Sequence, residues 1–214
     1  MTLPLNKFYS PNDFPDLAPE LEIVLQHWDK GQYENRKWEY AMALHTLRTW
    51  EEMGSVIIPR LSRRLVDVGG AGSPFLSMAG NWHTTVVDPK VNIDLADYMT
   101  TRPCLADAVV CLSVLEHVDD LDRFVYHLSC LVAPGGLLFL TVDACDTHEP
   151  GWPADTYHFH WDRKRIFSDL RLRLLRQQFA ARDFETFGEV DRLWNGPIEN
   201  WGYSIASVAM VKKI

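Results

Sequence analysis

The sequence contains no apolar run approaching the roughly 20 residues that a membrane span needs, which argues against an embedded or transmembrane role. Met1 to Asn12 carry neither the basic segment nor the apolar stretch of a secretory signal, so a cytoplasmic location is expected. Cysteine is scarce. Cys104, Cys111, Cys130 and Cys145 stand apart, with no close pair and no His/Cys ligand spacing, so neither a disulfide framework nor a zinc site is expected and packing is their assigned role. Basic residues are also few: 21 Lys and Arg stand against 29 Asp and Glu, for a formal net charge of -8. A large nucleic-acid footprint would need clustered positive charge, and the one basic concentration, Arg163 to Arg176, has the spacing of a solvated helix face. No internal repeat or low-complexity tract occurs.

What is present is the composition of an ordinary globular chain, 47% hydrophobic and 23% charged over 214 residues, which fits one α/β domain with decorations. The chain is organised around Leu65 to Phe75, Leu-Val-Asp-Val-Gly-Gly-Ala-Gly-Ser-Pro-Phe. Val66 and Val68 suit a buried parallel strand, and Pro74 suits the first position of a helix because it lacks an N–H. Between them Gly69, Gly70 and Gly72 allow a ligand to approach bare main chain. Asp67 at the strand end would repel a pyrophosphate but would attract an amine or a sulfonium. A cationic or zwitterionic cofactor therefore fits this turn better than a dinucleotide.

Before the turn, four prolines in residues 1–19 give an extended lead-in, and helical spacing predicts helices over Leu17–Trp28 and Glu34–Met53. After it come a helix from Pro74 to about Gly80 and a second strand, Thr84–Val87, that ends in Asp88. Asp88 lies 21 residues beyond Asp67, where an acid at the end of the second strand of a βαβ unit can accept both hydroxyls of a ribose. Val91–Leu95 reads as a short third strand with Asp94 near its end, and Ala108–Leu112 as a fourth. Leu112 and Ser113 would offer backbone carbonyls to a cofactor ammonium. Glu116 and His117 are placed at a helix start, the Glu complementing the dipole and the His locking the turn. A helix over Leu121–Leu131, closed by Pro134, Gly135 and Gly136, leads to a fifth strand, Leu137–Val142, ending at Asp143. A helix over 162–179, a strand near Phe184–Phe187 and a last strand, Tyr203–Lys212, complete the pattern.

The Asp67 turn resembles motif I of the class I S-adenosylmethionine-dependent methyltransferases: Asp67 and Gly69 occupy that motif's first two fixed positions, while Ala71 and Ser73 stand where its next glycines fall. The stretch Asp107 to Asp120, with Leu115-Glu116-His117-Val118, closely resembles the motif IV region of the small-molecule members. The alternation of elements and the resemblance imply the same plan: α/β, a doubly wound, mostly parallel seven-stranded Rossmann-like sheet whose last strand returns antiparallel, with an N-terminal helical cap. Residues 1–60 are expected to form the extension and lid helices and 61–214 the cofactor-binding core; Arg36, Trp38 and Tyr40 are candidates for the lid, but read first as a surface Arg and core aromatics. The resemblance further implies that Asp94 accepts the adenine amino group, and that the reaction is in-line methyl transfer from S-adenosylmethionine to an oxygen or nitrogen of a small polar acceptor.

A proton acceptor for that reaction is expected at Asp143 or in the following loop, at His148, His158 or His160. No metal is assigned, although three histidines in that loop leave open a divalent ion positioning a diol. A lid over the acceptor is expected from Gly188–Gly202, with Trp194, Asn195, Asn200 and Trp201. Nucleic acid and membrane are not expected as partners. Two rival readings are a non-catalytic cofactor-binding protein and a nicotinamide-dependent oxidoreductase; the second lacks the Gly-x-Gly-x-x-Gly spacing, which Phe75 breaks.

Overall fold

The computed structural model describes residues 17–28, 36–54, 63–144, 161, 169–177, 179–180 and 204–213. In chain order these hold α1 (Ala18–Gln26), α2 (Arg36–Gly54), β1 (Arg64–Val68), α3 (Phe75–Met78), β2 (His83–Val87), α4 (Leu95–Thr100), β3 (Ala106–Leu112), a 3-10 turn (Leu115–His117), α5 (Leu121–Leu131), β4 (Val132–Ala144), α6 (Arg171–Arg176), β5 (Phe179–Ala180) and β6 (Ser204–Lys212). The described strands form one sheet in the order β2-β1-β3-β4-β6-β5. β1, β2, β3 and β4 run parallel, whereas β6 is antiparallel to both β4 and β5. The first strand lies inside the sheet and the order reverses there, so the crevice of a doubly wound fold opens at the carboxyl ends of β1 and β3.

Alternation along each central strand divides the core between two faces. Leu137 and Phe139 of β4, with Leu65, Ala108 and Val110, pack against Met42, Leu44 and Leu47 of α2 and Phe75 of α3. Leu138, Leu140 and Val142 face the other way, with Val66, Val68 and Val109, onto Leu121, Val125 and Leu128 of α5 and Leu174 of α6. The amino-terminal helices thus share one apolar layer with the sheet. Polar ties fix the strand starts: the Asp107 carboxylate accepts from the Arg64 N–H at 2.8 Å. At the same edge of the sheet the Lys212 ammonium donates to the Ser129 and Val132 carbonyls at 2.6 and 3.0 Å, a cation closing the carboxyl end of α5.

Several elements differ from the sequence reading. Residues 91–95 form no strand: Asp94 is the N-cap of α4, its Oδ1 accepting from the Asp97 N–H at 2.9 Å. Six strands of the sheet lie among the described residues. α5 ends at Leu131 and passes directly into β4, and Pro134, Gly135 and Gly136 form a bulge within that strand, where the register jumps from Ala106↔Val132 to Ala108↔Leu137. The helix predicted to reach residue 179 ends at Arg176, and Phe179–Ala180 is strand. Leu115–His117 is a single 3-10 turn separate from α5, so Glu116 and His117 do not start a helix. The strand expected near Phe184–Phe187 and the loop Gly188–Gly202 lie outside the described residues.

Candidate active site

The glycine turn after β1 is held open by two positive φ angles, +85° at Gly69 and +73° at Gly72. Gly69 donates its N–H to the Val87 carbonyl at 2.8 Å, which lashes the turn to the end of β2. Asp88, the next residue, is buried and holds the turn from the side: its Oδ2 accepts from Ala71 N–H at 3.0 Å and its Oδ1 from Lys90 N–H at 2.7 Å. Each oxygen keeps a second lone pair, so the carboxylate can still accept from a diol. Asn92 braces this corner, accepting from the Asp88 and Ile93 N–H groups and donating to the Val86 carbonyl.

A cleft of about 850 Å³ opens beside the turn, and its wall includes Arg36, Gly69, Asp88, Asp94, Ser113 and His117. Among the residues expected to bind cofactor, Gly69, Asp88, Asp94 and Ser113 thus meet on one surface. Asp67 and Gly70 are buried beneath it, and Gly72 lies on the exposed side of the turn. Leu112 packs instead toward the α2 face of the core. Asp94 reaches the cleft as a helix cap instead of a strand end, and His117 is exposed along the wall.

Under this wall lies a web of buried polar groups that the sequence reading did not foresee. Glu39, fully buried on α2, accepts through Oε2 from Arg36 Nη1 at 2.6 Å and through Oε1 from Ser113 Oγ at 2.7 Å and from Thr141 Oγ1. Ser113 has φ +50° at the end of β3, and its N–H donates to the Thr141 carbonyl at 3.1 Å and hydroxyl at 2.9 Å. Its hydroxyl also stands 3.2 Å from Asp143 Oδ1. Asp143 in turn gives its N–H to Glu116 Oε1 at 3.2 Å, while Glu116 Oε2 has no hydrogen-bond partner.

Burial would lower the Arg36 guanidinium, but Glu39 and then Asp143 outweigh it and hold the group above its ordinary value, so it stays charged. Burial first, then the Asp143 charge, drives Glu116 well above the ordinary carboxylate range, which favours its protonated form. Burial likewise lifts the Cys111 thiol, with Asp67 adding to it, which keeps that sulfur neutral and fits a packing role. Asp67 is pushed up to about 7 by burial and by the charges of Glu39 and Asp88.

Arg36 alone of the three lid residues lines the cleft. Tyr40 is buried, its ring 6.2 Å from Trp28 and 6.3 Å from Phe75, and the half-buried Trp38 lies beside Lys37. Asp143 is at the carboxyl end of β4 but buried in the web. His148, His158 and His160 lie outside the described residues, as do Cys145, Trp194, Asn195, Asn200 and Trp201. Among the described residues no group of three or more His, Cys, Asp or Glu side chains could hold a metal ion, and no helix is long and apolar enough to cross a membrane.

The residues present fit a cofactor bearing an ammonium and a ribose. The buried, unpartnered Asp67 Oδ2 is an acceptor in want of a cation, and Gly70 lies so close above it that a Cβ there would stand 2.2 Å from that oxygen. The fold is similar to those of known methyltransferases. The chain covers 100% of its own length and 61% of a Haemonchus contortus phosphoethanolamine N-methyltransferase, crystallised with phosphomonomethylethanolamine and S-adenosylhomocysteine, at 12% identity and a TM-score of 0.52. A SAM-dependent methyltransferase from Archaeoglobus fulgidus is similar over 81% of this chain and 94% of that one, at 13% identity and a TM-score of 0.52. No curated protein sequence matches the chain. The methyltransferase-domain family matches residues 25–187, from α1 through the whole parallel sheet, and the chain belongs to that family as a class I S-adenosylmethionine-dependent methyltransferase.

Proposed function

We propose that this enzyme methylates an oxygen or nitrogen of a small polar acceptor, with the cofactor held between the Asp67 turn and Asp88. The observation that carries the reading is the unpartnered Asp67 Oδ2 beneath a glycine turn whose flank is held by Asp88. In this reading Asp67 faces the cofactor's ammonium, the free lone pairs of Asp88 accept the ribose hydroxyls and Asp94 lies toward the adenine. Arg36, charged and on the wall, is suited to the carboxylate. Residues 1–60 serve as the cap and 61–214 as the binding core. When bound, S-adenosylmethionine supplies a methyl group already activated by a positive sulfur. The protein has mainly to orient and to exclude water, and orientation of this kind is worth about 7 to 11 kcal/mol in favourable model reactions.

Ser113, fixed by Glu39 and Thr141, sets the floor of the acceptor end, and Asp143 beside it is the base for an acceptor that must lose a proton. His148, His158 and His160 are the further bases of this proposal, and the loop Gly188–Gly202 its lid. A small molecule is favoured over nucleic acid by the net charge of -8. Isothermal calorimetry with S-adenosylhomocysteine tests the cofactor half: micromolar binding that weakens at least tenfold in Asp88→Ala is expected, whereas tight NADH binding would refute it. Screening polar amines and hydroxyl compounds for methyl transfer from labelled cofactor tests the acceptor half.

A further inference from the structure

The acids of the site are not equivalent. Glu39 has Arg36, and Asp88 has two backbone N–H groups. Asp67 is 1% exposed, its Oδ2 is without a partner, and the charges that act most on it are both negative, Glu39 from α2 and Asp88 from the end of β2. The other titratable neighbours are Cys111 on β3 and Tyr40 on α2, a thiol and a phenol whose own values are raised, so neither supplies a compensating charge. Gly70 packs so closely on the carboxyl that a Cβ there would stand 2.2 Å from Oδ2.

A carboxyl so placed satisfies its electrostatics in the empty site with a proton, and burial together with its two acidic neighbours holds that proton up to about pH 7. A protonated carboxyl keeps acceptor lone pairs but offers the ammonium no opposite charge, so the ion contact is made only once the proton leaves. A deprotonated Asp67 beside an ammonium regains the neutrality that the proton had provided.

We propose that Asp67 exchanges a proton for a cation, giving up one proton to solvent when the cofactor's ammonium is seated beside it. This rests on the reading of the cleft as the cofactor site. No bond other than the Asp67 O–H is broken, and the proton is taken up by buffer. Cofactor binding is thereby linked to pH: it weakens by up to about tenfold per pH unit as acid competes for Asp67, and levels off in alkali.

The test is calorimetric titration of the whole protein with S-adenosylhomocysteine in phosphate and in imidazole, whose ionisation heats differ widely. Near pH 7 the two apparent enthalpies should differ by about half a proton's worth of that difference, and by nearly one proton at pH 6. Asp88→Asn should bind more weakly and show a smaller difference, because one of the two charges that hold the proton is gone, and Asp67→Asn should lose it altogether. S-adenosylmethionine should release the same proton, since both ligands carry the ammonium; release with that ligand alone would overturn the assignment by pointing to the sulfonium. Equal heats in both buffers with wild-type binding intact, or release that persists in Asp67→Asn, would also overturn it. If Asp67→Asn does not fold, the wild-type affinity between about pH 5.5 and 8 decides, a flat profile being fatal to the exchange. Failure of the homocysteine ligand to bind at any pH would instead sink the cofactor reading, and the exchange with it.

Discussion

Glu39 accepts a hydrogen bond from the Ser113 hydroxyl at 2.7 Å across 74 positions of sequence, joining the second helix to the turn that ends β3. The same carboxylate takes Arg36 and Thr141, so one fully buried acid gathers three elements beneath the cleft. Removing one partner of such a web leaves buried polar groups exposed to nothing that can satisfy them. Glu39→Ala should therefore cost about 3 to 5 kcal/mol of stability, with Glu39→Gln intermediate because an amide keeps one acceptor. Chemical denaturation measures this, and unchanged midpoints in both variants would show that the web contributes nothing to stability.

Asp88 holds the Ala71 and Lys90 N–H groups, and in the proposed function its remaining lone pairs accept a ribose. Asp88→Ala should weaken S-adenosylhomocysteine roughly tenfold or more, since hydrogen bonds to a charged group contribute about 1.5 to 3 kcal/mol. Direct binding by calorimetry on a variant shown to be folded is the measurement, and unaltered affinity would remove Asp88 from the site.

Two glycines of the same turn should respond differently to alanine. A Cβ at Gly70 would meet the Asp67 carboxylate at 2.2 Å, whereas at Gly72 it meets nothing within 4 Å and faces only the strain of a φ of +73°. Gly72→Ala should then cost about 1 to 2 kcal/mol with binding retained. Gly70→Ala should displace Asp67 and abolish binding of S-adenosylhomocysteine. Equal behaviour of the two variants in a paired thermal-shift and binding experiment would contradict this account.

Burial raises Asp67 from 3.8 to about 7, so the folded state binds this proton more tightly than the unfolded chain does. Its contribution is fully present below about pH 4 and is lost as the pH rises toward 7; Glu116, also raised, acts in the same direction. Asp67→Asn, neutral throughout, should gain in melting temperature over the ligand-free wild type at pH 8, and the gap should narrow or reverse at pH 5. A gap independent of pH would mean that Asp67 is not protonated in the folded protein.

Much of the sheet could be read from local signals. β1 and β3 are near-continuous apolar runs ending in small or polar residues, and α5 was bounded correctly because its apolar spacing is strong and Asp120 caps it. Residues 91–95 were misread because Val-Asn-Ile-Asp-Leu alternates like a strand. What decides the segment is side-chain capping by Asn92 and Asp94, which periodicity does not record. β5 has only two residues and leaves no pattern.

For the site, the acids at strand ends were legible because strand ends can be counted. Glu39 was not, since within its helix it looks like any charge between apolar residues, and its role depends on Ser113 and Thr141 far along the chain. Glu116 was read as complementing the dipole of a helix start, whereas it is fully buried and accepts from the Asp143 N–H. A buried charge announces itself only through its neighbours in space.

The distance along the chain between Glu39 and Thr141, 102 positions, also orders assembly in time. During synthesis α2 leaves the ribosome with Arg36 as the sole member of its future web yet made, and the strand that supplies Thr141 follows much later. Closing so long a loop is entropically costly before the sheet exists to reward it, so docking of α2 belongs to the last stage of folding. A chain stalled before β4 would present an amphipathic helix carrying an acid that has found no home. Such a nascent chain is a natural client for chaperones, and it gains the wall of its cofactor cleft only when the fourth strand has been delivered.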